Sequence, residues 1–491
     1  MKLKTLLAEL PFAKVTKPIH KKKVKRISMD SRSTQAGDLF VCIRGVNTDG
    51  HRFASQAAAN GAVAIIAEQE LDVSVPVIRV NDSRRALAQV ASKFYHHPTS
   101  KLPVIGITGT NGKTTVAYLI DELFSHDHKK TAMIGTIQVK IGNRTLPVKN
   151  TTPDALTIQK YFHQMVEEKV EAAIMEVSSH ALDQGRVFGC EFDVAVFTNL
   201  TRDHLDYHDG FEDYLRAKSL LFAQLGNGYN RKRDKIAVVN NDSVSSGKII
   251  RSTAQPFLTY GIEQQADLMA TDIRLQETGT CFIMKTPKGE VAIDSPLMGR
   301  FSIYNMLAAA AVGIIFDLPL SLIQHSFENT KGIPGRFESI REGQPFGVVV
   351  DYAHTPDSLE SVLETISAFC RGSVRVVVGC GGDRDREKRP QMADVAMKYG
   401  EQVIFTSDNP RTEDPAQIFH EMTSHLKEGY EVMDDREEAI RCALTSAREG
   451  DVVLIAGKGH ETFQEINGDR RHFDDREVAR RILKGFKEHT R

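Results

Sequence analysis

The sequence lacks any run of about 18 uncharged apolar residues, the length a helix needs to cross a bilayer, so no membrane insertion is expected. It also lacks a CxxC pair and any cysteine–histidine cluster at metal spacing. Cys42, Cys190, Cys281, Cys370, Cys380 and Cys442 are scattered, which argues for free thiols in a reducing compartment and against a disulfide framework or a zinc site. Neither sign of charge dominates: the formal net charge is −1, and nothing in that balance points to nucleic acid or an anionic membrane. The basic run Lys21 to Arg26 reads as a solvated loop. No internal repeat or low-complexity tract occurs. The opening Met1-Lys2-Leu3-Lys4 leads into a stretch broken by Glu9 and Pro11, a poor signal peptide, so a cytoplasmic location is expected.

What is present is ordinary for a soluble globular protein: 491 residues, 41% apolar and 26% charged. At roughly 100–200 residues per domain, that length suggests about three domains. The first hundred residues carry short strand-like runs at Asp38 to Ile43, Val63 to Ala67 and Val75 to Val80. From Leu102 the pattern becomes buried strand (Val104, Ile105, Ile107), glycine loop, then a helix from Thr114 to Phe124. That helix has Val116, Leu119, Ile120, Leu123 and Phe124 on one face. Strand-like runs at Ala172 to Met175, Val194 to Phe197 and Ile236 to Val239 alternate with helical stretches and predict a mainly parallel sheet covered on both faces. After the turn-rich Lys331 to Gly335 a second βα series begins, with strands at Val348 to Val350, Val374 to Val378, Val403 to Phe405 and Val452 to Ala456. The expected architecture is α/β in three domains: 1–101, 102–333 with a P-loop ATPase-like sheet, and 334–491 with a Rossmann-like doubly wound sheet.

Gly109-Thr110-Asn111-Gly112-Lys113-Thr114 lies between strand and helix. Glycines there let backbone N–H groups face phosphate, and the helix N-terminus adds a favourable dipole. Lys113 supplies charge for the terminal phosphates of ATP, and the Thr114 hydroxyl can bind Mg²⁺. Ile107 stands where the standard pattern has its first glycine, so the loop is a variant. Glu176 ends its strand where ligands bind in parallel sheets; the residues alone allow either a Mg²⁺ ligand or a capping carboxylate. Taken alone, His204 reads as a hydrogen-bonded structural histidine and Lys218, in a helix from Tyr214 to Ala223, as a surface lysine. His180 is open to both kinds of reading. Asp408-Asn409-Pro410-Arg411 follows a strand and alone reads as an Asx-Pro turn.

At these residues the chain resembles the Mur ligases, ATP-dependent enzymes that join amino acids or peptides to UDP-muramoyl precursors. The matching segments are Gly109 to Thr115, Glu176 to His180, Asn199 to His208, Lys218, Tyr304 to Ala309, Gly335 to Glu338 and Asp351 to His354. They run in order along essentially the whole chain. Asp30-Ser31-Arg32, Gly37 to Phe40, Asp49-Gly50-His51, Asn150 to Pro153, Gln184-Gly185-Arg186, Gly381 to Arg384 and Gly457 to Glu461 are similar to the tripeptide synthetases of that family. In the meso-diaminopimelate-adding kind, Asp408 to Arg411 looks like the signature.

The resemblance implies roles for these residues. Lys113, Glu176, His204 and Lys218 would be catalytic. Thr114, Glu176, His204 and a carbamate on Lys218 would hold Mg²⁺. Gly109, Thr110, Asn111, Gly112, Thr115, Asn305, Arg336 and Asp351 would join Lys113 and Thr114 in binding ATP. Ser31, Asn150, Thr151, Thr152, Ser178, Gln184 and Arg186 would bind the UDP-muramoyl dipeptide. Arg384, Asp408, Asn409, Pro410, Arg411, Gly457 and Glu461 would bind diaminopimelate, Arg411 gripping the remote carboxylate that lysine lacks. The implied reaction phosphorylates the acceptor carboxylate and lets the incoming amine attack the acyl phosphate, with Lys113 and Mg²⁺ offsetting the repulsion between anions. The partners would be these small molecules, the chain a monomer, and domain closure would hinge near Leu102 and Gly335. Competing readings are a lysine-adding synthetase, a folylpolyglutamate synthase-like ligase and a non-catalytic nucleotide-binding regulator. Asp30 to Arg32 and Asn150 to Thr152 argue against the second, and the intact set Lys113, Glu176, His204 and Lys218 against the third.

Overall fold

A computed structural model describes residues 1–19, 21–45, 48–148, 150–228, 233–276 and 278–489. Among these residues three main sheets follow one another along the chain. The first has five strands, in the order Lys14–Val15, Val77–Arg79, Ala64–Ala67, Asp38–Val41 and Arg26–Ser28. Its outer pair Lys14–Val15 with Val77–Arg79 is antiparallel and the rest are parallel. The helix Ser83–Phe94 packs on it, capped by the Asp82 carboxylate, which accepts from the Arg85 N–H at 2.9 Å.

The second sheet has eleven strands. At its centre Val104–Thr108 lies between Ala172–Glu176 and Val194–Phe197, parallel to both. All five residues of Val104–Thr108 are buried, and they alternate between faces. Ile105 and Ile107 pack under the helices Lys113–His126 and Arg300–Ile315, while Val104 joins the core beneath Ala155–Glu167 and Phe211–Ala223. The expected parallel sheet is therefore only the middle of a larger one. On one side Leu268–Gln276 joins parallel to Phe257–Gly261 and antiparallel strands Gly279–Thr286 and Gly289–Ser295 follow; on the other, antiparallel strands extend it through Val139–Ile141 and Arg144–Leu146.

The third sheet runs Glu338–Ser339, Gly347–Asp351, Val452–Ala456, Val374–Val378, Gln402–Thr406 and Tyr430–Met433. All pairs are parallel except the short edge Glu338–Ser339. Helices Pro356–Ser367, Lys388–Tyr399 and Pro415–Thr423 cover one face, and Arg436–Ser446 and Asp475–His489 the other. In the parallel parts of the second and third sheets, Glu176, Asp351 and the segments after Val104–Thr108, Gln402–Thr406 and Val452–Ala456 lie at the C-terminal ends of strands, where open α/β sheets bind ligands. Among the described residues, no helix is long and apolar enough to cross a membrane.

Candidate functional site

The glycine loop turns because Gly109 (φ +150°) and Gly112 (φ +87°) take conformations that side chains rarely adopt. A Cβ on Gly109 would sit 1.9 Å from Thr198 Oγ1, and one on Gly112 would sit 2.4 Å from Asn305 Oδ1. Neighbouring strand ends stitch the loop down. The Thr110 N–H donates to the Asn199 carbonyl and the Asn111 N–H to Asn199 Oδ1, each at 2.9 Å. Thr198 Oγ1 donates to the Asn111 carbonyl at 2.6 Å. Lys113 opens the helix and folds back, donating to the carbonyls of Gly109 (2.9 Å) and Thr110 (2.8 Å). Burial lowers the pKa of its ammonium, and Glu176 and Asp203 oppose that shift.

Glu176 is fully buried. It accepts from Thr114 Oγ1 at 2.8 Å, from the Thr136 N–H at 2.8 Å and from Thr136 Oγ1 at 2.9 Å. Arg336 Nη2 reaches Thr114 Oγ1 at 3.3 Å across the two large sheets, and its guanidinium stacks on Tyr352. Asp351 accepts from the Phe337 N–H at 2.6 Å, and burial raises its pKa. Thr115 follows Thr114 in the helix. Pairwise contacts thus link the glycine loop to Asn305 and, through Thr114, to Arg336 of the third domain's first turn.

Lys218 is also buried, 1% exposed, where its sequence alone suggested an exposed lysine. Its Nζ donates to the Gly109 carbonyl at 2.8 Å and lies over the Tyr214 ring. Among the described residues it has no carboxylate ion-pair partner. Burial, and secondarily Lys113, drives its pKa well below that of an ordinary lysine. His204 sits at φ +56° and faces Asp203 through Nε2 at 3.4 Å, with the His180 ring edge-on at 4.9 Å. Desolvation lowers the pKa of His204, with Asp203 opposing it. For Asp203, burial acts upward, but His204, His354 and Lys388 outweigh it and hold the carboxyl below the usual range.

Thr114 and Glu176 therefore touch, whereas no hydrogen bond among the described residues joins either to His204 or Lys218. No group of three or more His, Cys, Asp or Glu is arranged to hold a metal among those residues. The oxygens of Thr114 and Glu176 still suit a hard cation, and an un-ionised Lys218 amine suits carbamylation.

A second cluster adjoins Glu176. Thr152 Oγ1 donates to the Glu176 carbonyl at 2.8 Å and accepts from the Ser178 N–H at 3.0 Å. Arg186 donates to the Thr152 carbonyl at 2.8 Å and to Gln184 Oε1 at 2.8 and 3.1 Å. The Thr151 hydroxyl lies 3.1 Å from that of Thr136, and Asn150 is exposed beside it. Ser31 stays in the first sheet's region, held by Gln56 at 2.8 Å, and makes no hydrogen bond to this cluster.

The third group lies past the strands Gln402–Thr406 and Val452–Ala456. Arg411, at φ +54°, donates from Nη1 to the Gly382 carbonyl at 2.6 Å. Asn409 Nδ2 donates to Glu461 Oε2 at 2.8 Å, and Pro410 follows Asn409 in the same turn. A Cβ on Gly457 would lie 2.7 Å from Asp408 Oδ2. Burial, then Asp408, raises the pKa of Glu461. Arg384 is exposed and donates to the Asp383 carbonyl at 2.9 Å.

Sequence reasoning assigned no role to five residues that take part. Thr136 holds Glu176, and Lys458 and Arg436 underlie the third group. The buried Lys388 and the half-buried His354 bring positive or titratable groups from around the third sheet toward Asp203. Lys458 and His354 carried a signal, as parts of the segments Gly457 to Glu461 and Asp351 to His354.

Against this geometry, the chain is 54% identical over 489 residues to the UDP-N-acetylmuramoyl-L-alanyl-D-glutamate--2,6-diaminopimelate ligase of Oceanobacillus iheyensis, covering 99% of each chain. The chain belongs to the Mur ligase family. The Mur ligase middle-domain model matches residues 107–313, the Mur ligase glutamate ligase domain 335–459, and the Mur ligase catalytic-domain model 23–95. A Mur ligase of the same name from Listeria monocytogenes is 50% identical over 484 residues, 98% of each chain. A solved structure of a ligase of that name superposes with a TM-score of 0.70 at 35% identity, covering 99% of this chain and 100% of that one. The three-sheet α/β architecture is thus that of the Mur ligases.

Proposed function

We propose that this chain is the ATP-dependent ligase that adds meso-2,6-diaminopimelate to UDP-N-acetylmuramoyl-L-alanyl-D-glutamate in peptidoglycan precursor synthesis. The observation that carries the reading is its likeness, at 54% identity over 99% of both chains, to a ligase named for that acceptor and 2,6-diaminopimelate. The site supports it. Residues 1–101 would bind the UDP end, 102–333 ATP and 334–491 the amino acid.

ATP would lie on the loop Gly109 to Thr114, its adenosine toward Asn305, Arg336 and Asp351. Its γ-phosphate would meet the acceptor carboxylate held beside Thr152, Ser178 and Arg186. Both groups are anionic. The Lys113 ammonium stands at the head of the loop to offset their repulsion as phosphoryl transfer makes the acyl phosphate. The amine of diaminopimelate then attacks the acyl carbon, phosphate leaves, and an amide forms. Glu461 would take the ammonium of the remote head and Arg411 its carboxylate. Thr114, Glu176, His204 and a carbamate on Lys218 would hold Mg²⁺, which supplies positive charge to the phosphate oxygens. An un-ionised amine adds CO₂ to give a carbamate and a proton. The state of Lys218 favours that chemistry, since burial without a carboxylate partner disfavours its ammonium. A cytoplasmic monomer completes the reading.

The test incubates the purified chain with ATP, UDP-muramoyl dipeptide and an equimolar mixture of meso-diaminopimelate and L-lysine, then weighs the product. Mass gain of the diaminopimelate residue is expected. Equal lysine incorporation would sink the substrate assignment, and no ATP-dependent product with either would sink the ligase reading.

A further inference from the structure

Lys458 is fully buried, and the carboxylate it pairs with is that of Glu461, at 3.3 Å. An ammonium has three protons to donate. They are directed at Asn409 Oδ1 (3.1 Å), Glu461 Oε2 (3.3 Å) and the Phe463 carbonyl (2.5 Å). These acceptors come from three separate segments: the turn after Gln402–Thr406, the loop after Val452–Ala456, and the strand Phe463–Ile466.

The consequence is directional. Asn409 Oδ1 faces Lys458 Nζ and the Glu465 N–H (3.0 Å), both of which can only donate. The Asn409 amide therefore cannot flip, and its Nδ2 must point at Glu461 Oε2, which it meets at 2.8 Å. Glu461 Oε2 then receives Asn409 and Lys458 together. Oε1 accepts no hydrogen bond among the described residues, and the Glu461 side chain is 18% exposed. One carboxylate oxygen is tied down and the other is turned outward. Glu461 also stands near the Asp408 carboxylate, and burial and that neighbour both favour its protonated form, which would meet an ammonium without a negative charge. A buried cation at Lys458 acts against both.

We propose that Lys458 is a positioning residue for the incoming amino acid: it fixes the Asn409 amide and one oxygen of Glu461, so that the other oxygen is presented to the substrate ammonium. This rests on the proposed ligase reading. It assigns no contact between Lys458 and substrate or ATP, so its removal should weaken one substrate alone.

The test is steady-state kinetics of Lys458→Met and Lys458→Gln, with near-UV circular dichroism as a check of folding. KM for meso-diaminopimelate should rise about tenfold or more, while KM for ATP and for the UDP-muramoyl dipeptide stays within about twofold. In a Glu461→Gln background Lys458→Met should add much less than it does alone, because both changes disable one group. Three results would overturn the proposal: additive effects of the two changes, equal rises in all three KM values, or loss of the folded state in both Lys458 variants. Failure of the unmutated enzyme to use meso-diaminopimelate while it uses another amino acid would instead strike the substrate reading. The same KM pattern for that amino acid would then judge Lys458. Failure with every amino acid would overturn both.

Discussion

Arg436 and Asp475 form an ion pair with neither side chain exposed: Nε and Nη2 donate to the two carboxylate oxygens, each at 2.8 Å. Arg436 Nη2 also donates to the Ala456 carbonyl at 2.9 Å, the last residue of the strand that leads into Gly457. Removing one partner leaves a buried charge uncompensated. Asp475→Asn is therefore expected to lower unfolding stability by about 3–5 kcal/mol, measured by urea denaturation. A loss below about 1 kcal/mol would contradict the buried pair.

Lys113→Ala should reduce kcat on the order of 10²–10³-fold or more, the scale of losing one group that stabilises transition-state charge. Lys113 is half-buried against the loop carbonyls and is not part of the apolar core, so its loss should leave that core closed. Circular dichroism should be unchanged, and phosphate release in the presence of both substrates is the readout.

Lys218→Arg should be nearly inactive although it keeps a positive charge, because a guanidinium cannot become an oxygen ligand. The companion measurement is a carbamate resonance from labelled bicarbonate, present in the unmutated protein and absent in the variant. An active Lys218→Arg enzyme would refute the carbamate.

Arg411→Ala should lose most activity with meso-diaminopimelate. In the unmutated enzyme kcat/KM should favour meso-diaminopimelate over L-lysine by on the order of 10⁴-fold, since lysine would leave the guanidinium desolvated and unpaired. Comparable values for the two amino acids would remove Arg411 from its role.

Stability should also fall in mild acid. Burial depresses His354 to about 4 and His460 to about 3, while an unfolded histidine titrates near 6.5. Between those values the unfolded chain binds the protons and the folded one does not. The contribution is thus complete above about pH 6.5 and is lost as pH falls toward about 4. Thermal midpoints measured from pH 7 to 4 should show the decline, and His354→Gln should flatten part of it.

Much of this architecture was legible because parallel strands and amphipathic helices write themselves into sequence. Val104 to Thr108 is buried on both faces and reads as a continuous apolar run, and Lys113–His126 shows its core face at helical spacing. The helix Arg300–Ile315 was not legible. Met306 to Ile314 is buried all round, so no polar face marks its period. The strands Leu268–Gln276 and Gly289–Ser295 carry mostly polar or exposed residues and gave no apolar run. Within the site, motif residues such as Glu176 and Arg411 could be named. That Thr136 engages Glu176, or that Lys458 gathers Asn409, Glu461 and Phe463, depends on contacts between separate segments that spacing does not record.

The strand Val452–Ala456 lies between Gly347–Asp351 and Val374–Val378, although it is the last of the six to be synthesised. Until it leaves the ribosome, the two earlier strands have no neighbour to join them. Gly457, Lys458 and Glu461 arrive with it. On a growing chain, closure of this sheet and completion of the amino-acid pocket are one event. The nucleotide loop at Gly109 to Thr114 is by then about 340 residues old. A chain that ends early carries the phosphate-binding loop but neither a closed third sheet nor a seat for the amine.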